Sequence, residues 1–194
     1  KKLKKFNVKW VKNLNDIKKK NNIFIANEFF DALPIKQFFK IDKKWVERFV
    51  LFGKNNKKKF VNFNSSIKKI ERKFGFDISK NQKIIEYSPL ALEYLKIISK
   101  KIKNKKGGLL IIDYGYLENS MKNTLKAIKR HNNSDILNSF SNSDITYNLN
   151  FSILKKITKK LQLKCQGITT QKEFLTALGI KERAEILSKN LPFS

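Results

Sequence analysis

Residues 23–34 read IFIANEFFDALP, an apolar run that stops on two acids. Ile23, Phe24, Ile25 and Ala26 have the composition of a short, fully buried strand. Asn27, Glu28 and Asp31 follow at its carboxyl end, where open α/β sheets bind their ligands. If the chain turns after Asn27, Glu28 and Asp31 stand three positions apart on one side. Two carboxylates so placed suit a flat cation such as a guanidinium, which offers paired N–H donors. Helix capping is the alternative reading, because Asn and Asp commonly satisfy the free amides of a helix start.

Downstream, IKQFFKI, the turn-like DKK and WVERFVLF predict an antiparallel hairpin closed by Gly53, with a third strand at Phe60–Phe63. A short helix is expected over Ser66–Lys73. Lys83–Tyr87 reads as a strand running into Ser88-Pro89, a helix start with a hydroxyl cap and proline at the first helical position. Leu90–Lys103 carries apolar residues at 91, 94, 95, 98 and 102, one helical face. Gly107-Gly108 ends it and admits LLIID at 109–113, the most apolar segment in the chain. Helix, glycine turn and buried strand in succession form the αβ half of a parallel-sheet unit. Asp113, ahead of Tyr114 and Gly115, serves either a turn or a ligand at that strand's end.

Beyond it, Ser120–Arg130 is expected to be helical with Leu125 and Ile128 inward, and His131 would meet the helix dipole at its end. Residues 131–148 read as a long polar loop. Asn150 caps a helix bearing Phe151, Leu154, Ile157 and Leu161. Leu163–Ile168 is a candidate strand, with Cys165 as a small core residue, and two helices at 170–178 and 180–189 follow. Upstream, the alternation of Phe6, Val8 and Trp10 suggests a short strand.

Composition narrows the function classes. The 194 residues suit one domain with a real core, and 41% apolar content fits a folded chain. One cysteine and one histidine exclude an internal disulfide and give no metal-ligand cluster. No apolar run approaches the roughly 20 residues that span a bilayer. A formal charge of +27 invites a polyanion reading, but it is carried almost wholly by Lys, with Arg only at 48, 72, 130 and 183. Lys, Asn, Ile and Phe are enriched together, which points to A/T-rich codons, whereas nucleic-acid readers favour the bidentate Arg. Gly107-Gly108 precedes a strand instead of opening a helix, so it is no phosphate-cradling turn. Ser88 and Ser152 lack a nucleophile-elbow context, which leaves a hydrolase triad unsupported.

NEFFDALP at 27–34, WVER at 45–48, YSP at 87–89, GGLLIIDYGY at 107–116, NTLKAIKRH at 123–131, SDIT at 143–146 and TQKEFLTALGI at 170–180 together resemble the MidA-like S-adenosylmethionine-dependent methyltransferases. That family includes the mitochondrial complex I assembly factor of the protein arginine methyltransferase type. The resemblance implies an α/β fold: an incomplete Rossmann-like class I methyltransferase sheet with an antiparallel β insertion at about 36–82. Residues 1–194 would be a single partial domain, with Ile23 opening the fourth strand and Leu109 the fifth. The family's glycine-rich cofactor loop and ribose-holding acid precede NEFFDALP, and its last strand follows Leu191. A fragment is therefore expected, with S-adenosyl-L-methionine bound only by the intact protein.

The same resemblance implies Glu28 and Asp31 as catalytic residues. It assigns Asn27, Phe29, Phe30, Pro34, Asp113, Tyr114, Gly115, His131 and Asp144 to substrate binding or loop positioning. The implied partner is a protein substrate, a complex I subunit, with no membrane insertion, no nucleic acid, and homo-oligomerisation left open. The compartment would be the bacterial cytoplasm, or the mitochondrion in a eukaryote. Two departures from the family pattern stand out: LNF at 149–151 replaces a segment with an acid, and a Pro-Gly near 140 is absent. A noncatalytic assembly factor on the same scaffold and a basic nucleic-acid-binding module are the competing readings.

Overall fold

The computed structural model describes residues 5–18, 21–103, 106–130, 132–139 and 142–189. The chain divides into two compact units, Lys1–Lys164 and Cys165–Ser194.

The described residues of the first unit form four sheets. Strand β1 (Ile23–Asn27) runs into the acidic turn, and the chain then enters β2 (Lys36–Ile41), β3 (Lys44–Phe52) and β4 (Lys58–Asn64). Asp42 and Lys43, both at positive φ (46° and 62°), make the two-residue turn between β2 and β3, the geometry that matches strand twist. Helix α1 (Ile67–Phe74) buries Ile70 and Phe74, and β5 (Ile84–Tyr87) returns to pair antiparallel with β2. The strand order of this antiparallel sheet is β4-β3-β2-β5, so the expected third strand is present and the 84–87 strand joins the same excursion.

Helix α2 (Pro89–Lys103) starts as the sequence predicts: Ser88 Oγ accepts a hydrogen bond from Ala91 N at 3.1 Å. It leads to β6 (Gly108–Ile112), which pairs parallel with β1 in the register Ile23↔Gly108 to Asn27↔Ile112. A Cβ on Gly107 would lie 2.5 Å from the Asn22 carbonyl oxygen, which explains the glycine before the strand. Ala26, Leu109 and Ile111 pack against the core around Phe30, Phe38, Ile85, Leu92 and Leu95. The opposite face differs from expectation: Ile23 and Ile25 are 78% and 68% exposed. β1 is buried on one face only, because among the described residues it pairs with β6 alone and nothing covers its second face.

The next segment corrects the sequence reading. Residues 120–130 form no helix; after β7 (Gly115–Tyr116) the chain runs irregularly to β8 (Lys126–Lys129). Ala127 is buried and Leu125 half-buried, the alternate-residue spacing of a strand, and β8 is held between β9 (Asn132–Ser134) and β10 (Asp144–Thr146). The TLKAIK run satisfies either period, and pairing with β10 decided between them. The expected loop at 131–148 thus contains two strands and α3 (Ile136–Ser139), which touches β8 and β4. β11 (Leu149–Asn150) pairs parallel with β7, and α4 (Phe151–Lys160) follows, its Asn150 cap accepting from Ile153 N at 3.0 Å.

Two further expectations fail. Phe6, Val8 and Trp10 are exposed and lie in no strand, and the described residues offer them no strand to pair with. The strand expected at 163–168 is irregular and Cys165 is exposed, its thiol reaching only the Gly167 carbonyl at 3.7 Å. In the second unit, α5 (Gln171–Ala177) and α6 (Ile180–Ser188) match the two expected helices. Thr170 and Glu173 close a reciprocal capping box at the start of α5.

Candidate active site

The site grows out of one extra rung on the parallel ladder. Glu28 N donates to Ile112 O at 2.8 Å, and the chain then leaves the sheet because Glu28 sits at φ +45°. A non-glycine residue pays for that left-handed backbone through crowding of its Cβ, and such strain gathers at functional sites. Leu33 N returns to Phe30 O at 3.2 Å and closes the turn.

Asp113, at the end of β6, holds this turn in place. Its Oδ2 accepts from Phe30 N at 3.0 Å and Asp31 N at 3.3 Å, while Oδ1 accepts from Tyr114 N at 2.9 Å. Asp113 thus ties the turn to the end of β6 through three backbone amides. The far side of the turn is tied to β10 and the residues after it. Thr146 Oγ1 donates to Asp31 Oδ2 at 2.8 Å, and Tyr147 N donates to Asp31 O at 3.2 Å. Asp31 is 8% exposed, and its Oδ1 is buried with no hydrogen-bond partner. A cavity of about 240 Å³ is walled by Asp31, Leu33, Pro34, Leu125, Thr146 and Tyr147, among others.

Burial pushes the Asp113 carboxyl up to about 6, helped by the nearby Asp31 charge and opposed by the three amides it accepts. Burial also raises the Tyr147 phenol above its ordinary value, with the charges of Asp113, Glu86 and Asp31 adding to it, so Tyr147 is neutral at physiological pH.

The structure brings Asn27, Glu28, Phe29, Phe30, Asp31, Pro34, Asp113 and Tyr114 to this one corner, although not into one environment. Glu28 and Asn27 are exposed and Asp31 is buried, so the two carboxylates sit at different depths. Phe30 is in the core, and Phe29 lies over Tyr94 with ring centres 5.6 Å apart. Gly115 is fixed by close approach: a Cβ there would stand 2.4 Å from both the Leu149 carbonyl oxygen and the Phe151 ring. Asp144 is exposed on β10 opposite Ile128, and among the described residues it has no hydrogen bond to the turn. His131 lies outside the described residues.

Sequence reasoning missed the polar support behind the turn. Buried Glu86 accepts from Gln37 Nε2 at 2.6 Å, from Thr124 N at 3.2 Å and from the Thr124 hydroxyl. Asn148 N donates to Thr124 Oγ1 at 2.8 Å, which links this network to the segment that follows β10, next to Tyr147. The signal was the pairing of polar Gln37 and Glu86 inside apolar runs, which places a buried acceptor opposite a buried donor.

The sequence profile of the family described as "Putative S-adenosyl-L-methionine-dependent methyltransferase" matches residues 1–169. The chain is 29% identical over 184 residues to the protein named "Protein arginine methyltransferase NDUFAF7, mitochondrial" from Danio rerio, covering 94% of this chain and 43% of that one. It is 30% identical over 179 residues to the Caenorhabditis elegans homologue, covering 91% and 42%. The chain spans less than half the length of these curated relatives. A superfamily member from Burkholderia thailandensis, solved with S-adenosyl-homocysteine bound, superposes with a TM-score of 0.71 at 19% identity, over 95% of this chain and 48% of that one. That likeness shows the fold, a Rossmann-like methyltransferase architecture. With the family profile covering most of its length, the chain belongs to the S-adenosyl-L-methionine-dependent methyltransferases.

Proposed function

We propose that the whole protein transfers a methyl group from S-adenosyl-L-methionine to an arginine of a protein partner, a respiratory complex I subunit as the resemblance to the MidA-like family implies. The observation that carries this reading is the acidic turn at the carboxyl end of β1: a strained, exposed Glu28 backed by a buried Asp31 with one unpartnered carboxylate oxygen. Glu28 is the first carboxylate on the guanidinium, and Asp31 assists from behind it. Asn27, Phe29 and Tyr114 border the exposed side of the turn, while Asp113 and Thr146 hold its backbone and its inner carboxylate.

The described residues do not fit the adenosine end of the cofactor. Asp113, the acid at the end of β6, has its oxygens engaged by three backbone amides, and no glycine-rich turn opens a helix. No step is therefore assigned through the cofactor, which supplies the methyl group when bound. What this chain's residues do is positional: the carboxylates orient the flat cation and keep the attacking nitrogen aimed. An arginine side chain has a pKa above about 12, so proton loss accompanies or follows transfer.

Glu28→Gln in the full product of this gene is expected to lower methylation of an arginine substrate by at least about 100-fold, the scale of losing one aimed electrostatic partner. Cofactor binding, measured by calorimetry, is expected to stay near its original value. Retained turnover would remove Glu28 from this role. The compartment that goes with this reading is the bacterial cytoplasm, or the mitochondrion if the source is a eukaryote, and homo-oligomerisation is compatible with it.

A further inference from the structure

The β3–β4 ribbon belongs to none of the machinery above. Its far end leaves Phe49, Leu51 and Phe63 exposed on one face and Val50 and Phe60 exposed on the other. The register accounts for this, since Glu47↔Phe63 and Phe49↔Val61 share one face while Arg48↔Asn62 and Val50↔Phe60 share its reverse. α3 touches β4, yet Phe60 and Phe63 keep 37% and 58% exposure. β4 is also the outer strand of its sheet, and among the described residues no strand pairs with its second edge. Long apolar edge strands usually carry protection against pairing with another chain; here only lysines supply it.

Charge on the ribbon is one-sided. Between 36 and 64 stand Lys36, Lys40, Lys43, Lys44, Arg48, Lys54, Lys57, Lys58 and Lys59, against Asp42 and Glu47. Glu47 is already engaged by Lys36 at 2.5 Å. Arg48 is held between the Phe39 and Phe60 rings, 3.9 and 5.0 Å from their centres, and its Nε is buried without a hydrogen-bond partner. Among the described residues no carboxylate forms an ion pair with it.

We propose that this ribbon end is the docking surface for an extended, acidic segment of the protein substrate. An extended polypeptide laid along β4 would supply the missing strand partner. Its alternate side chains would fall on the two faces, apolar ones on the face of Phe60 and Val50 and acidic ones on the reverse, the face of Lys59. A nucleic acid has phosphates for the lysines but no strand for the edge, and a second copy of a +27 chain brings repulsion. The proposal rests on the reading of the partner as a protein.

The test uses the full chain and a labelled 12-residue peptide, three repeats of Glu-Val-Asp-Phe, followed by fluorescence anisotropy without cofactor. The peptide contains no arginine, so its binding is independent of the acidic turn, and a failure here leaves the Glu28→Gln experiment untouched. Binding is expected to weaken about tenfold or more between 50 and 300 mM salt. It is also expected to weaken about tenfold with Phe63→Glu and with the pair Lys57→Glu, Lys59→Glu. Lys181→Glu, in the second unit, should leave it unchanged. Circular dichroism confirms that each variant is folded. Absence of binding, equal binding of a scrambled peptide with Lys in place of the acids, or displacement of the peptide by polyuridylate at lower concentration would overturn the proposal. So would self-association that Phe63→Glu abolishes, which would make a second copy the occupant.

Discussion

At the scale of single residues, Asp113 carries two opposed demands. Its ionised form makes the better acceptor for three amides, yet burial and the Asp31 charge push its carboxyl up to about 6. The unfolded value is about 4, so between pH 4 and 6 the folded state holds more protons than the unfolded chain. Linkage then makes stability fall as pH rises through that window and stay lower above it. Thermal melts of the wild type against Asp113→Asn are expected to show the wild type losing ground to the variant from pH 4 to pH 6. A difference that is flat with pH would contradict the assignment. Asp113→Ala, which deletes all three acceptor contacts, is expected to cost about 3 kcal/mol near neutral pH. The turn after β1 was legible from sequence because an apolar run stops abruptly on polar residues there, although helix capping stood beside it as an alternative. Its depth was not: nothing local says that Thr146, more than a hundred positions away, takes one oxygen of Asp31 and leaves the other unpartnered.

At the scale of elements, glycine positions discriminate between pairing and mere turning. Gly115 was read as part of a turn, and the structure places it opposite Leu149 in the short β7–β11 ladder. Gly115→Ala is expected to cost about 1–3 kcal/mol, the range for forcing a methyl group into filled space. Hydrogen exchange should show the loss as faster exchange at Leu149 N, which donates to Tyr114 O at 2.8 Å. Elements with local signals were read correctly. Ser88-Pro89 starts α2 and the turn-like DKK joins β2 to β3, whereas the capping box of Thr170 and Glu173 at the start of α5 was not read from the sequence. The β8 strand was missed because its evidence is non-local: TLKAIK becomes a strand through β9 and β10, and no residue within it forbids a helix.

At the scale of the molecule, the one-sided burial of the β1–β6 pair governs behaviour in solution. Ile23 and Ile25 on β1 and Leu110 on β6 form an open apolar strip beside an edge that no strand pairs among the described residues. Such strips pair with other chains, and the 194 residues on their own are expected to aggregate despite their charge. Ile25→Lys should raise the soluble fraction in light scattering at micromolar concentration, with the far-ultraviolet spectrum unchanged; an equal aggregation rate would place the sticky surface elsewhere. The same pair sets an order of events. Ile23 meets Gly108 about 85 positions along the chain, whereas β2, β3 and β4 join through short turns. Closing so long a loop costs about 4 kcal/mol of chain entropy before any rung forms. The antiparallel excursion is therefore expected to form early and the rung at Glu28 N late, so pulse-labelled hydrogen exchange should protect amides of β2–β4 before Glu28 N; simultaneous protection would contradict this order. On that order the acidic turn is assembled only on a molecule already folded beneath it, so a chain arrested partway presents the open ribbon edge before it can present the Glu28 carboxylate.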